Sequence, residues 1–387
     1  MSNVSSSNSQ GVHVPKLRFP GFEGEWEEKS LSDIATGFDY GMNAASGVFD
    51  GSNKYIRITD IDEESRCYTD ENPVSPKGEL DDKYLVREND ILFARTGAST
   101  GKTYLYKKSD GKLYFAGFLI RISVNCDNNS IFVYNATLTD RYNRWVRLTS
   151  MRSGQPGINS QEYSSYKTYY PLLAEQNKIA SFLKKLDKRI EKQRKLVELL
   201  KSYKRGAAKR LFSSVATYAQ TVLLKDYADI STGCSNTQDA IPDGEYPFFI
   251  RSQTVARSNR YIFDGEAVLT IGDGQIGKVF HYINGKFDCH QRVYMITQFS
   301  QYLNGKYFYH YFSEHFYDRA IRMSAKNTVD SVRMEMIADM PITLPDVKAQ
   351  NQIVNILDSI DSLIGKGELI LSNLSLMKQG FLQQFFT

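Results

Sequence analysis

Residues Glu175 to Asp187 read EQNKIASFLKKLD, and Ala349 to Asp361 read AQNQIVNILDSID. At a constant offset of 174, Pro171 meets Pro345, Gln176 and Asn177 meet Gln350 and Asn351, Ile179 meets Ile353, Leu183 meets Leu357, and Asp187 meets Asp361. The register continues without a gap through Lys204 with Lys378, Gly206 with Gly380 and Phe212 with Phe386. In the first copy Ile179, Leu183, Leu186, Ile190, Val197 and Leu200 step by four and three, the spacing of a heptad seam, with Gln193 filling the one missing place. The second copy repeats the seam as Ile353, Leu357, Ile360, Ile364, Leu371 and Leu374, with Gly367 aligned to Gln193. The shared interruption predicts a loosened or specially packed layer. Each copy starts just after a proline and spans about 40 residues, or about 60 Å of helix. A single helix of that length cannot bury its own stripe. The economical solution is an antiparallel coiled-coil pair, and the alternative is that each helix packs on its own globular neighbour.

The regions before the helices correspond more weakly. DIATG (Asp33 to Gly37) answers DISTG (Asp229 to Gly233), Ile56 and Arg57 answer Ile250 and Arg251, and DILFARTGASTGKT answers AVLTIGDGQIGKV. Short β-rich runs such as YIRI, FLIRIS and VYMIT, separated by Gly, Asn and Asp turns, read as mixed strand and loop domains. The predicted fold class is α+β: two similar mixed α/β domains joined by two long paired helices, with an internal pseudo-twofold repeat. The expected map is a disordered tail at 1–13, a first domain at 14–171, a helix at 172–213, a second domain at 214–344 and a helix at 345–387.

Composition bounds the rest. The chain has 387 residues, 41% hydrophobic and 13% aromatic, enough for two or three domains with their own cores. Cys67, Cys126, Cys234 and Cys289 stand far apart, with no C-x-x-C clasp, which fits a reducing cytoplasm. MSNVSSSNSQG at the start has no apolar core of a signal peptide, and no run is long and apolar enough for a membrane span. A soluble, cytoplasmic protein is expected. The net charge of +4 is small, but from Glu175 to Phe212 thirteen Lys and Arg residues face four acids, whereas Lys348 to Thr387 balances three against three. The basic helix either docks a partner or lies near a nucleic-acid backbone, unless it is only a solvated face.

Catalytic patterns fail one by one. GASTGKT (Gly97 to Thr103) is one residue short of a phosphate-binding P-loop, and its counterpart GQIGKV is shorter still. His310 and His315 are five apart and fall on different faces of a helix, and Cys289 with His290 lacks a second pair, so no metal site is expected. No G-x-S-x-G elbow occurs, and Asn72-Pro73 is followed by Val74, not by the remainder of an adenine methyltransferase motif. ELDDK (Glu79 to Lys83) can be forced into a nuclease-like carboxylate and lysine pattern, but acidic turns are common and it reads as one of them. What remains is a set of Arg, Gln, Asn and Lys residues near Gly-rich or turn segments, the side chains that pair with base edges and phosphates. They are Arg57, Arg95, Lys102, Arg152 and Gln155 in the first half, and Arg251, Gln253, Gln275, Lys278, Lys326 and Asn327 in the second.

The opening VPKLRFPGFEGEWEEKSLSDIATG, the helix starts PLLAEQNKIASFLKKLD and PDVKAQNQIVNILDSID, and the closing LLKSYKRGAAKRLF and LSLMKQGFLQQFF resemble the specificity subunits of type I restriction–modification systems, from about Val14 to the end. The resemblance implies two target recognition domains, each reading one half of a bipartite double-stranded DNA sequence, with helices that set their separation. It implies a non-catalytic subunit. Two methylation subunits would supply S-adenosylmethionine and flip the target adenine, and restriction and translocation subunits would join for cleavage. The residues themselves carry the repeat and the missing active site; DNA as ligand rests on the resemblance. Two other classes compete: an adaptor holding two protein-binding domains, and an enzyme with a hidden site in a β-rich loop.

Overall fold

A computed structural model describes residues 14–323 and 331–386; the expected tail at 1–13 lies outside them. The chain forms two compact units, Met1–Lys192 with Leu371–Thr387, and Gln193–Ile370. The long helices run Leu173–Val215 and Val347–Phe386, so each unit holds a part of both. The sequence sets the helices apart as spacers; in the structure each is built into the cores it adjoins.

In the first unit the central sheet has the order Ala35–Tyr40, Leu119–Val124, Asp90–Ala94, Thr103–Leu105, all neighbours antiparallel. Beside it Lys54–Ile56 pairs in parallel with Leu113–Phe115. Phe93, Ile120, Phe132, Tyr142 and Tyr163 form a core that takes in Ile179 and Leu183 from the start of the first helix and Phe385 and Phe386 from the end of the second. Farther along, Leu186 and Ile190 cluster with Leu374 and Leu371. Early residues of one helix meet late residues of the other, so the pair is antiparallel.

The second unit repeats the plan. Asp229–Thr232, Val293–Thr297, Phe263–Ile271 and Phe280–Cys289 stand in the same order as the four strands above. Phe280–Cys289 is one strand doing two jobs: its start pairs antiparallel with Phe263–Ile271, and its end pairs in parallel with Tyr246–Phe249. In the first unit Thr103–Leu105 and Leu113–Phe115 divide that work. The core here includes Phe308, Phe312, Phe212, Ile353, Leu357, Ile360 and Ile364, with Leu200 packed against it. Fully burying an Ile or Leu contributes about 1.5–3 kcal/mol, so the seam residues that reach the globular cores weigh heavily in stability. Ten of the twelve predicted seam residues are buried and the other two, Leu200 and Leu371, are half-buried.

The repeated letters at the helix starts do identical work. Gln176 is buried; its Oε1 accepts from Asn129 N at 2.9 Å and its Nε2 donates to Pro171 O at 2.9 Å. Gln350 Oε1 accepts from Asn304 N at 2.8 Å, and its Nε2 donates to Pro345 O at 2.8 Å. Asn129 and Asn304 in turn cap the helices Ser130–Ala136 and Gly305–Arg322, and each donates to the Asn that follows the buried Gln, Asn177 or Asn351. A buried amide thus ties each long helix to a helix cap of its own unit, satisfying backbone groups that water cannot reach.

The aligned charges also pair in matching fashion. Lys378 Nζ meets Asp187 Oδ1 at 2.6 Å in the first unit, and Lys204 Nζ meets Asp361 Oδ2 at 2.6 Å in the second. Such part-exposed pairs contribute roughly 0–1 kcal/mol each, so they specify register more than stability. At the interrupted layer Gln193 Nε2 donates to Gly367 O at 3.0 Å, and a Cβ at Gly367 would sit 3.0 Å from Val197. The glycine admits the close approach and the amide replaces the missing apolar contact.

Two sequence alignments of the globular parts are corrected. Ala116 N donates to Ile56 O, and His290 N donates to Phe249 O, both at 3.0 Å, so the counterpart of Ile56 is Phe249 and that of Arg57 is Ile250, not Arg251. Likewise Gly41 N donates to Leu119 O at 3.1 Å and Gly233 N to Val293 O at 3.2 Å. Gly41, not Gly37, is therefore the counterpart of Gly233. The irregular pairing between Ala35 and Phe38 takes up only one extra residue, so it does not account for the four-residue displacement; the matching letters DIATG and DISTG occupy different places along their strands.

Candidate nucleic-acid interface

In each unit a glycine-rich loop leaves the central strand and returns as the next one. In the first unit this is Arg95 to Lys102, in the second Gly272 to Lys278. Gly101 and Gly277 have φ of +88° and +67°. A Cβ at Gly101 would lie 2.5 Å from Val146 Cγ1, and one at Gly277 would lie 2.9 Å from Tyr317 Cα. Both glycines are needed because a helix lies against the turn, which explains the P-loop-like letters without a bound phosphate.

The first loop is flanked by a second one. Gly97 N donates to Pro156 O at 3.0 Å and Ile158 N to Arg95 O at 2.9 Å, so the exposed stretch Met151 to Pro156 lies along it. Arg95, Arg152 and Gln155 are brought to this edge together. The Arg95 guanidinium stacks on the Tyr40 ring at 4.7 Å and reaches Gly117 O at 3.4 Å. Arg152 is exposed and pairs with Glu162, and Gln155 lies against Gly97. Arg57 is half-exposed and holds Asp60 with two bonds of 2.8 and 2.7 Å.

Lys102 is a correction. It is only 3% exposed, with its ammonium donating to Ile61 O at 2.9 Å and to the Glu63 carboxylate. That hydrogen bond, ahead of the opposing effect of burial, holds the Glu63 carboxyl below its usual range. An ammonium so committed is not presented to a phosphate; it fastens the Ile58–Glu63 segment to the loop.

In the second unit the counterpart Lys278 is exposed, as are Gln253 and Gln275. Arg251 is exposed and meets Asp273 at 3.3 Å. Lys326 and Asn327 lie outside the described residues. The sequence reading missed four exposed or partly exposed residues on these edges: Tyr40 and Phe118 in the first unit, and Gln291 and Arg292 in the second. The offset of 174 that matches the helices also aligns Phe118 with Arg292, but the letters differ, so identity alone does not reveal the correspondence.

One His and carboxylate group, His310, Asp358 and Asp361, has ligand atoms all within 4.8 Å. Lys306 meets Asp358, and Lys204 meets Asp361, each at 2.6 Å, so both carboxylates already face ammoniums. Burial alone would raise the Asp358 carboxyl; the hydrogen bonds from Lys306 and His310 outweigh it and hold the group low. Burial also pushes His281, His290 and His310 below the usual imidazole range. The folded second unit therefore binds protons on these rings less readily than the unfolded chain, whose imidazoles titrate near about 6.5. Stability should fall as pH drops through about 6.5 toward the lower folded values, while Asp358 matters only below about pH 4. Denaturant unfolding of the full chain at pH 7.5 and 5.5 should show a lower midpoint at 5.5; equal midpoints would contradict the assignment.

The class defined by this geometry is a pair of like scaffolds, each with a turn-rich edge bearing different polar side chains. Comparison with known proteins narrows it. Residues 23–201 and 219–370 match the model of the type I restriction modification DNA specificity domain, and the chain belongs to that family. Among relatives, the Escherichia coli type I restriction enzyme EcoDI specificity subunit is 29% identical over 141 residues, 36% of this chain and 31% of that one. The match thus spans about a third of that relative's length. The Methanocaldococcus jannaschii MjaVIII specificity subunit is 24% identical over 319 residues, 72% of this chain and 74% of that one. The solved type I restriction-modification S subunit from M. genitalium shares the fold, with a TM-score of 0.68 at 14% identity, covering 97% of this chain and 99% of that chain. Among the described residues, no helix is long and apolar enough to cross a membrane.

Proposed function

We propose that this chain is the non-catalytic, DNA-reading subunit of a type I restriction–modification complex. Each unit reads one part of a two-part double-stranded target, and the helix pair sets the gap between the parts. The observation that carries this proposal is the doubled scaffold, whose matching loops differ in what they expose: Arg95 stands where the second unit has Gly272, and Lys278 is exposed where Lys102 is buried. One fold repeated with different edges suits an asymmetric sequence better than a palindrome. Two methylation subunits would bring S-adenosylmethionine and perform the transfer, and restriction and translocation subunits would join them. Their docking is supported by exposed apolar side chains on the helices, Leu376 and Met377 in the first unit and Leu196, Leu199 and Tyr203 in the second. The cytoplasm, where DNA and these partners meet, is the proposed location.

The test is selection. The chain, reconstituted with its methylation subunits, is offered a pool of duplexes with a randomised core, and the retained duplexes are sequenced. A split motif with two defined parts supports the proposal. Retention without sequence enrichment, or none at all, would favour the adaptor.

A further inference from the structure

The turn that precedes the second strand of each central sheet has the same backbone in both units and opposite side-chain chemistry. In the first unit Leu119 N donates to Ala116 O at 2.9 Å, closing a turn with Gly117 and Phe118 at its corners. In the second, Val293 N donates to His290 O at 2.9 Å around Gln291 and Arg292. Each turn is tethered three more times from matching directions. Gly117 N donates to Met42 O at 2.8 Å, as Gln291 N does to Ser235 O at 2.9 Å. Leu119 O accepts from Gly41, as Val293 O does from Gly233, and the corner carbonyls of Phe118 and Arg292 accept from Arg95 N at 3.0 Å and Gly272 N at 2.7 Å.

This backbone is held by four hydrogen bonds in each unit, yet its corner side chain points into solvent. Phe118 is 64% exposed, a large apolar ring beside the Arg95 and Tyr40 stack. Arg292 is exposed and its guanidinium makes no ion pair among the described residues, although Arg251 nearby in the fold is paired with Asp273. An exposed phenyl ring on a rigid turn gains little from water, and an unpaired guanidinium on a rigid turn is a preset hydrogen-bonding fork. Rigidity at a contact residue favours discrimination, because a side chain held in place cannot shift to accommodate a wrong partner.

We propose that this corner position is a specificity-determining contact in both units. Phe118 makes an apolar contact with a base, such as a thymine methyl, in its part of the target, and Arg292 pairs bidentately with a guanine edge in the other. The inference rests on the DNA-reading function proposed above and goes beyond it by naming the position and the chemistry read. Arg292 so used reads sequence, whereas a phosphate contact would add affinity uniformly.

The experiment uses the chain reconstituted with its methylation subunits and measures methylation rates on a library covering every single-base change of the selected motif. Phe118→Ala should relax one position in one part of the motif and leave the other part unchanged. Arg292→Ala should relax one position in the other part, by about tenfold to hundredfold in discrimination. Arg292→Lys keeps the charge and loses the planar fork, so it should relax the same position; it also serves where the alanine variant folds poorly. Uniformly slower methylation by Arg292→Ala with full rescue by lysine would assign a phosphate contact and overturn the inference, as would unchanged motifs in both variants. A wild-type complex without a two-part motif would instead overturn the underlying proposal, so the two failures are distinct.

Discussion

Gly233→Ala lowers the melting temperature of the second unit by roughly 6 to 12 °C, the expected consequence of about 3 kcal/mol of overpacking. A Cβ at Gly233 would stand 2.0 Å from Cys289 O, and one at Gly41 would stand 2.1 Å from Ala116 O, so Gly41→Ala should act similarly on the first unit. The obstruction is a backbone carbonyl at the entry to a tethered turn or just before it, which has no rotamer through which to retreat. Gly206 provides the control. It lies within the first long helix with nothing within 4 Å of its Cβ position, so Gly206→Ala should stabilise by about 0.5–1 kcal/mol. Thermal melts of the full chain decide the matter; a Gly233→Ala variant as stable as Gly206→Ala would show that the turn yields.

Gln350→Leu should cost about 3–5 kcal/mol, and Gln176→Leu about the same. Each replaces a buried amide that serves three partners: Asn304 N, Tyr302 O and Pro345 O for Gln350, and Asn129 N, Pro171 O and Asn128 Oδ1 for Gln176. Leucine matches the volume but leaves the buried carbonyl of Pro345 or Pro171 and two part-buried groups unpaired, at up to about 1–3 kcal/mol for each. Asn177 and Asn351 are exposed and make one side-chain bond each, so Asn177→Ala and Asn351→Ala should cost under about 1 kcal/mol. Denaturant titration of the four variants checks the contrast. Equal costs for Gln and Asn variants would mean that the buried amides do not couple helix to cap.

These predictions also mark how far the sequence could be followed. The helices were legible because their stripe repeats every turn or so over about 40 residues, and a slip of one residue would move the whole stripe. The interruption at Gln193 and Gly367 was visible for the same reason, and the structure shows them touching each other. Loops offer no such redundancy. DIATG and DISTG match in letters, yet the backbone hydrogen bonds place Gly41, not Gly37, against the turn that Gly233 meets. Lys102 and Lys278 align as letters and diverge in space, because Glu63 and Ile61 O draw one ammonium inward while its counterpart stays exposed. Phe118 and Arg292 share a backbone site but no chemistry, which identity cannot detect. Candidate contact residues are therefore read from hydrogen-bond equivalence, and helices from periodicity.

The most direct test of two DNA-reading units coupled by a helix pair is to lengthen the pair by one heptad. Seven residues are inserted after Gln193 and seven after Gly367, preserving the seam phase in both helices, and N6-methyladenine is mapped in DNA treated with the reconstituted complex. Seven residues of helix add about 10 Å, close to three base pairs at about 3.4 Å each. The account predicts the same two half-motifs with a gap longer by about three base pairs. Unchanged spacing, or altered half-motifs, in a complex that still methylates would contradict it.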